Sequence, residues 1–403
     1  FLSTKKAEME IFSEKLLLPI CFILSCFFIF TTARFRQSSP RSATLPPGPP
    51  RLPIIGNIHQ VGKLPHRSFA DLSRTYGPIM HLKFGRLNTV IITLPEAARE
   101  VLRTHDQTLS DHKAPNAVRS ISHHKVSAAW IHPFSARWRL LRKLSVTHLF
   151  SPQRIEATKA LRMKKVQELV FREFIDIKTA DKSLRNDPKF ASNRDFLDAL
   201  LDLTDMFVGG TDTNSSTLEW AMAELLTNPT TMAKAQTEIK QMLGLNGFVQ
   251  EPDISELPYI QAIVKETFRL HPPVPFLLPR EAETDVEIFG YFVPKDAQVL
   301  VNVWAIGRDP GVWENPTRFE PERFLGKEID VKGKNYELTP FGAGRRICPG
   351  LPLAVKMVSL MLLSLLYSFD WKLQNAVDMD ETFGITLHKA NPLHAVPVRR
   401  IRH

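Results

Sequence analysis

The stretch Phe341-Gly342-Ala343-Gly344-Arg345-Arg346-Ile347-Cys348-Pro349-Gly350 sets a lone cysteine in a glycine-rich loop directly ahead of an apolar run. Thiolate, not thiol, binds metal, and the unpaired N–H groups and positive dipole end of a following helix favour the anion at Cys348. Pro349 suits a first helical position, where no N–H is needed. From Leu351 to Leu366 the sequence is almost unbroken apolar, which predicts a buried helix holding the cysteine on a rigid support. The bland alternative is a buried structural cysteine in an ordinary loop.

The spacing Phe-x-x-Gly-x-Arg-x-Cys-x-Gly resembles the haem-binding signature of the cytochrome P450 family of haem-thiolate monooxygenases at every fixed position. A five-position match arises by chance on the order of once in ten thousand chains of this length, which disfavours the structural cysteine. Thiolate ligation pushes electron density onto haem iron and favours O–O cleavage. The resemblance implies haem b with Cys348 as axial ligand and Phe341 shielding its sulfur. It also implies that Gly344 admits close backbone, that Arg346 faces a propionate and that Gly350 closes the cofactor loop. The fold it implies is mainly α with small β-sheets.

Other segments carry the same likeness. Trp138 and Arg142 stand four apart on one predicted helix face, a spacing that in the family holds haem propionates; the plain alternative is an amphipathic basic helix. Arg280, after Phe276-Leu277-Leu278-Pro279, matches a further propionate-contacting arginine of plant members. Glu266 and Arg269 lie three apart and can pair on a helix, and in the family Arg323, within Phe319-Glu320-Pro321-Glu322-Arg323-Phe324, completes a buried charge network with them. By itself Glu-x-x-Arg is common on surface helices.

Gly209-Gly210-Thr211-Asp212-Thr213-Asn214 resembles the oxygen-activation segment, a widened turn in a long helix, with Asp212 and Thr213 as catalytic proton source and hydroxyl donor. Without the cysteine loop this cluster reads as a loop or helix cap. Asn214 replaces the commoner Thr or Ser. The resemblance places Thr211, Phe276, Leu277, Phe383 and Ile385 around a substrate pocket. His112, His123, His124 and His132 fit no zinc spacing and read as a polar loop.

With 403 residues and 43% hydrophobic content the chain can bury a large core. Its net charge of +10 comes from Lys and Arg dispersed along the sequence, which argues against nucleic acid and for an acidic redox partner or an anionic membrane surface. Leu16 to Phe30 is apolar apart from Pro19 and Ser25, and Arg34, Arg36 and Arg41 follow it, so residues 9–33 are expected to be an N-terminal membrane anchor. The body would then face the cytosol from the endoplasmic reticulum. The rival is a cleaved signal peptide ending near Ala33, which would leave Cys348 as the sole cysteine. Met9 sits just ahead of the anchor, and residues 1–8 are set aside from fold reasoning. Residues 34–50, ending in Pro46-Pro47-Gly48-Pro49-Pro50, form a basic, proline-rich linker, and 51–403 the haem-binding domain.

A β-hairpin is expected over Ile79–Thr93, helices over Leu94–His105, Arg137–Phe150, Thr217–Leu226, Pro258–Leu270 and Leu353–Tyr367, and strands over Val286–Val293 and Gln298–Trp304. The likeness, closest to plant microsomal enzymes such as geraniol hydroxylases, runs from Pro46 onward with one break. Only 38 residues (209 − 170 − 1) separate Val170 from Gly209, where the family has on the order of a hundred more. Several helices between about Val170 and Leu203 are therefore expected to be missing, including those roofing the substrate pocket. The implied activity is insertion of one oxygen atom from O2 into a small apolar substrate, a terpenoid such as geraniol, with electrons from NADPH through an NADPH-cytochrome reductase. The alternatives are a non-catalytic relic or splice product retaining only the haem site, and a haem-thiolate isomerase or dehydratase, for which Asp212-Thr213 has less use.

Overall fold

The computed structural model describes residues 44–114, 116–120, 123–172, 194–244, 247–384 and 386–400, with backbone only over 194–208. The expected anchor at 9–33, most of the linker and Ile385 therefore lie outside the described residues. Helices follow in the order α1 (Pro65–Tyr76), α2 (Pro95–Arg99), α3 (Asn116–Ser120), α4 (Ala136–Leu144), α5 (Pro152–Ala157), α6 (Lys159–Arg172), α7 (Arg194–Thr227), α8 (Pro229–Leu243), α9 (Pro258–Leu270), α10 (Val303–Ile306) and α11 (Leu351–Ser368). The mainly helical architecture with small sheets is the one expected from sequence.

The helix after the cysteine, α11, is the centre of the larger core. Val358, Leu362, Leu363 and Leu366 are fully enclosed and pack with Ile260, Ile263 and Val264 of α9, Ala221 and Leu225 of α7, and Ala235 and Ile239 of α8. Each such side chain contributes roughly 1.5–3 kcal/mol by leaving water. Its length and apolarity would suffice to cross a membrane, but more than half of it is buried inside the protein.

Strands β1 (Ile79–Phe84) and β2 (Leu87–Ile92) form the expected hairpin around Gly85-Arg86, with Leu82 opposite Thr89. β3 (Asp111–His112), β4 (Arg280–Glu281) and β7 (Gln298–Val301) complete a five-stranded sheet ordered β1-β2-β7-β4-β3. Alternation serves both faces. Val90, Ile92, Val299 and Val301 pack with α2 residues Ala97 and Ala98, while Ile91 and Leu300 pack with Phe69 and Phe276 on the other side. The remaining strands pair as β5 (Val286–Ile288) with β6 (Tyr291–Val293), β8 (Phe369–Leu373) with β11 (Ala395–Arg399), and β9 (Glu381–Phe383) with β10 (Leu387–Lys389).

Several boundaries differ from the sequence pattern. The helix expected over Leu94–His105 runs as α2 and then as a wider π-type turn, Glu100–Thr104; α4 likewise passes into Ser145–Leu149. The strand expected to reach Trp304 stops at Val301. Asn302 there accepts from the Ala305 N–H at 3.0 Å and donates to the His66 carbonyl at 2.9 Å, which caps α10 instead. The segment expected over Thr217–Leu226 is the end of the 34-residue α7.

Candidate functional site

The cysteine loop is closed by the Cys348 amide, which donates to the Phe341 carbonyl at 3.0 Å. Phe341 packs edge-on against Phe268 of α9 with centroids 5.1 Å apart. Gly344 has φ +69, and a Cβ there would sit 2.1 Å from the Leu102 carbonyl oxygen, so only glycine lets the loop lie against the π-type turn. The Cys348 sulfur lies 3.7 Å from where a Cβ on Gly350 would be. The Cys348 thiol is pushed up, because burial outweighs the downward pull of the Gly350 N–H, the Arg142 guanidinium and the Leu351 N–H.

A cationic cluster surrounds this loop. Arg280 is buried and donates to the Leu109 carbonyl at 3.0 Å; burial first, and Arg346 second, push its pKa down to about 10. Arg346 is also brought to about 10, by burial, against the pull of Asp111, with Arg142 adding repulsion. It donates to the carbonyls of Ser110, Ala128 and Ile131 at 2.9, 3.0 and 2.7 Å. The Trp138 ring lies under the Arg346 guanidinium at 5.0 Å, and its indole N–H is committed to the Ala128 carbonyl at 3.1 Å. Arg142 is shifted down by burial and up by Cys348.

The distal segment lies within α7, which continues through Gly209–Asn214 where a widened turn was expected. The Thr213 hydroxyl donates to the Gly209 carbonyl at 2.5 Å and the Asn214 amide to the Gly210 carbonyl at 2.7 Å, so both side chains fold back on the preceding turn. Thr211 is exposed, and the Asp212 side chain keeps 44% of its surface in solvent.

Glu266, Arg269 and Arg323 come together as one buried cluster. Arg269 meets Glu266 through two bonds of 2.6 and 2.7 Å, and Arg323 reaches the same carboxylate at 3.0 Å. Arg269 further donates to the carbonyls of Gly307, Pro316 and Arg318.

Phe276 and Phe383 meet edge-on at 6.0 Å, and Phe276 also packs on Phe69 at 5.5 Å. Leu277 instead lies towards the cysteine loop, 3.7 Å from a Cβ placed on Gly342. A cavity of about 260 Å³ opens beside β3 and β4, lined by Asp111, His112, Lys113, His124, Trp130 and Glu281, away from these aromatic residues.

His112 corrects the polar-loop reading of the histidines. It is buried on β3, its Nδ1 contacts the Ala129 carbonyl at 2.8 Å, and burial followed by Arg346 and Arg280 holds its pKa well below the usual imidazole value. The pairing of Asp111–His112 with Arg280–Glu281 spans 168 residues and leaves no local signal in the sequence. The contacts that Thr386 and His388 make with Asp212 leave no local signal for the same reason. Among the described residues no three His, Cys, Asp or Glu side chains gather as a metal site, so the lone thiol is the candidate ligand.

A bound haem fits these residues by donor chemistry. A single thiol sits just ahead of a helix, and Arg346 is repelled by Arg142 and in turn repels Arg280, with Asp106 and Asp111 as the acids acting on Arg280 and Arg346, an arrangement that favours an anionic group among them. The buried Ser110 hydroxyl beside Arg346 has no partner among the described residues.

The sequence model of the family described as Cytochrome P450 matches residues 46–199 and 171–396, two overlapping stretches. "Cytochrome P450 76C4" of Arabidopsis thaliana is 56% identical over 507 aligned positions that take in 97% of this chain and 99% of that protein. "Cytochrome P450 76AD1" of Beta vulgaris is 41% identical (94% and 99%), and "Geraniol 8-hydroxylase" of Swertia mussotii 40% (92% and 97%). Since 97% of 403 residues is about 391, about 116 of the 507 positions (507 − 391) have no counterpart here. A shortfall of that size was expected from the interval between Val170 and Gly209.

Proposed function

The chain belongs to the cytochrome P450 family, and from that premise we propose that it is a haem-thiolate monooxygenase acting on a small apolar substrate of terpenoid type, in a form whose distal face is incomplete. The observation that carries the reading is Cys348, set just ahead of a buried apolar helix with the Arg142 guanidinium acting on it.

Cys348 would hold iron through Sγ, and Arg142, Arg280 and Arg346, with Trp138 beneath the last, would hold the carboxylates of the haem. When bound, that group supplies reduction of O2 and transfer of one oxygen atom to a C–H bond, with NADPH oxidised and water released. The protein's own part is to fix the thiolate, to move protons and to keep water out. Helix N–H groups and Arg142 favour the anion at Cys348 against the desolvation that disfavours it. Asp212 delivers protons on the distal side, and the Thr213 hydroxyl, held by the Gly209 carbonyl, is placed to pass them on. Phe276 and Phe383 present an apolar wall suited to a hydrocarbon, with Thr211 of α7 as a further lining residue. The name of the geraniol 8-hydroxylase relative supports the terpenoid class.

Exposed Arg137, Arg139 and Lys143 on α4 form a basic face suited to an acidic NADPH-cytochrome reductase. The apolar run at 16–30 would hold the protein in the endoplasmic reticulum membrane with its catalytic body in the cytosol.

The exposure of Asp212 and Thr211, together with the missing positions, favours weak coupling in this form: water reaches the distal side, and reducing equivalents leave as peroxide. The test is haem reconstitution followed by reductase, NADPH and a monoterpenol panel. The expected result is NADPH consumption with peroxide as the main product. Supplying the missing stretch from a relative should convert that consumption to hydroxylation, and hydroxylation by the 403-residue chain at an equal rate would refute the incomplete-face reading.

A further inference from the structure

His66, fully buried near the start of α1, touches two residues of β9 at once. Its Nε2 lies 3.1 Å from Oε2 of Glu381, and its ring stacks on that of Phe383 with centroids 5.8 Å apart and an interplanar angle of 26°. We infer that His66 is a positioning residue for the substrate pocket: it fixes the plane of the Phe383 ring from behind and so sets the breadth of hydrocarbon that the wall admits. This rests on the reading of Phe383 as part of the apolar wall given above.

The Glu381 carboxylate clamps the imidazole. Ionised down to about pH 2, it only accepts, so Nε2 of His66 carries the hydrogen and the ring plane is tied to Oε2. The other oxygen, Oε1, accepts from the Trp304 indole N–H at 3.1 Å, and the Trp304 ring meets His66 edge-on with centroids 4.9 Å apart. The main chain is pinned as well, since the His66 carbonyl accepts from the Asn302 amide at 2.9 Å. Nδ1 of His66 is enclosed without a partner among the described residues, a cost that a phenylalanine would avoid, so apolar packing alone does not account for a histidine here.

Phe383 has little else to orient its ring. Glu381 and Phe383 stand two apart on a strand and share a face. Their strand, β9, belongs to a two-stranded sheet with β10, which supplies no rigid bed of its own. The hairpin's main chain is placed through Leu387, opposite Phe383, whose N–H donates to the Pro273 carbonyl at 2.7 Å and whose carbonyl accepts from the Ser216 hydroxyl of α7 at 2.9 Å. The Phe383 side chain beyond it is exposed, and among the described residues its aromatic contacts are His66 and, edge-on at 6.0 Å, Phe276. A flat face behind and an edge beside together select the ring plane.

Both halves of the wall are braced from α1. His66 backs Phe383, and Phe69, three residues on and on the same helix face, packs on Phe276 at 5.5 Å. Without the imidazole, a space opens behind Phe383 into which its ring turns, so the pocket widens and a bulky hydrocarbon gains room while a slender one loses contact. A change of about one methylene in an apolar pocket alters discrimination on the order of tenfold or more.

The test uses the full 403-residue chain carrying para-fluorophenylalanine at position 383, whose fluorine resonance reports the surroundings of that ring. His66→Ala should displace the resonance. His66→Leu, which fills the volume without a flat face or a donor, should displace it too and carries the measurement should the alanine variant not fold. Arg67→Gln, which takes another partner from the same carboxylate, should leave the resonance in place. In haem-reconstituted protein, equilibrium dialysis with an acyclic and a bicyclic monoterpenol should show the ratio of their dissociation constants shifted about tenfold or more towards the bicyclic one in the folded His66 variant. A resonance unmoved in folded His66 variants, an equal displacement in Arg67→Gln, or an unshifted ratio overturns the inference. The fluorine measurement needs neither haem nor substrate, so its failure is separate from failure of Phe383 as a wall residue, which unchanged dialysis in Phe383→Ala reports.

Discussion

Arg269 grips Glu266 through two bonds of 2.6 and 2.7 Å, and neither side chain has any exposed surface. Glu266 in turn accepts from Arg323 and from the Glu320 N–H at 2.8 Å, so one carboxylate anchors the segment that leads back to the cysteine loop. Removing one partner leaves a buried charge uncompensated. Arg269→Ala or Glu266→Ala should therefore cost on the order of 3–5 kcal/mol, read as a fall in the denaturant midpoint at unchanged slope. Loss of less than about 1 kcal/mol would mean the network is dispensable.

Glu381 gives the pH dependence. Burial raises its pKa, but the His66 contact, Arg308 and Arg67 together outweigh that and bring it to about 2 from an ordinary 4.5. A depressed carboxylate stabilises the fold above its unfolded value, and that stability is lost as pH falls from about 4.5 through about 2. The shift corresponds to roughly 3 kcal/mol. Glu381→Gln should be less stable than the parent at pH 7, and the gap should close towards pH 2. A gap independent of pH would assign the effect to shape rather than charge.

At Gly344, a left-handed backbone and the Leu102 carbonyl both exclude a side chain. Gly344→Ala should cost at least about 1–3 kcal/mol and reduce haem retention, whereas Gly290→Ala, also at positive φ but with open space around it, should cost less and leave haem retention unchanged. Absorbance and thermal melting on the two variants separate backbone strain from the close contact.

Thr213→Ala, in protein with the missing stretch supplied from a relative, should leave haem binding intact and lower product per NADPH by about tenfold or more as peroxide rises, because proton delivery and not electron supply is lost. Equal product per NADPH would remove Thr213 from the reaction.

How much of this was legible in the sequence depended on range. The cysteine loop, α9 and α11 were visible because spacing along ten to twenty residues carries their signal, and the Glu266–Arg269 pair follows from three-residue helix spacing. The β1–β2 hairpin was visible by alternation. The buried place of His112 and the contacts of Thr386 and His388 with Asp212 were not, since they arise from pairings 168 to 176 residues apart. The early end of β7 turned on the bonding of one side chain, Asn302, that apolar patterning does not encode. The commitment of Trp138 to the Ala128 carbonyl is likewise a tertiary choice.

The most direct measurement is the absorption spectrum of the reduced, carbon-monoxide-bound protein after haem reconstitution of the 403-residue chain. Thiolate ligation by Cys348 predicts the long-wavelength thiolate band in the parent and its disappearance in Cys348→Ser, with haem itself partly retained through the arginines. A thiolate band that survives in Cys348→Ser would contradict the assignment of the ligand and with it the reading of the site.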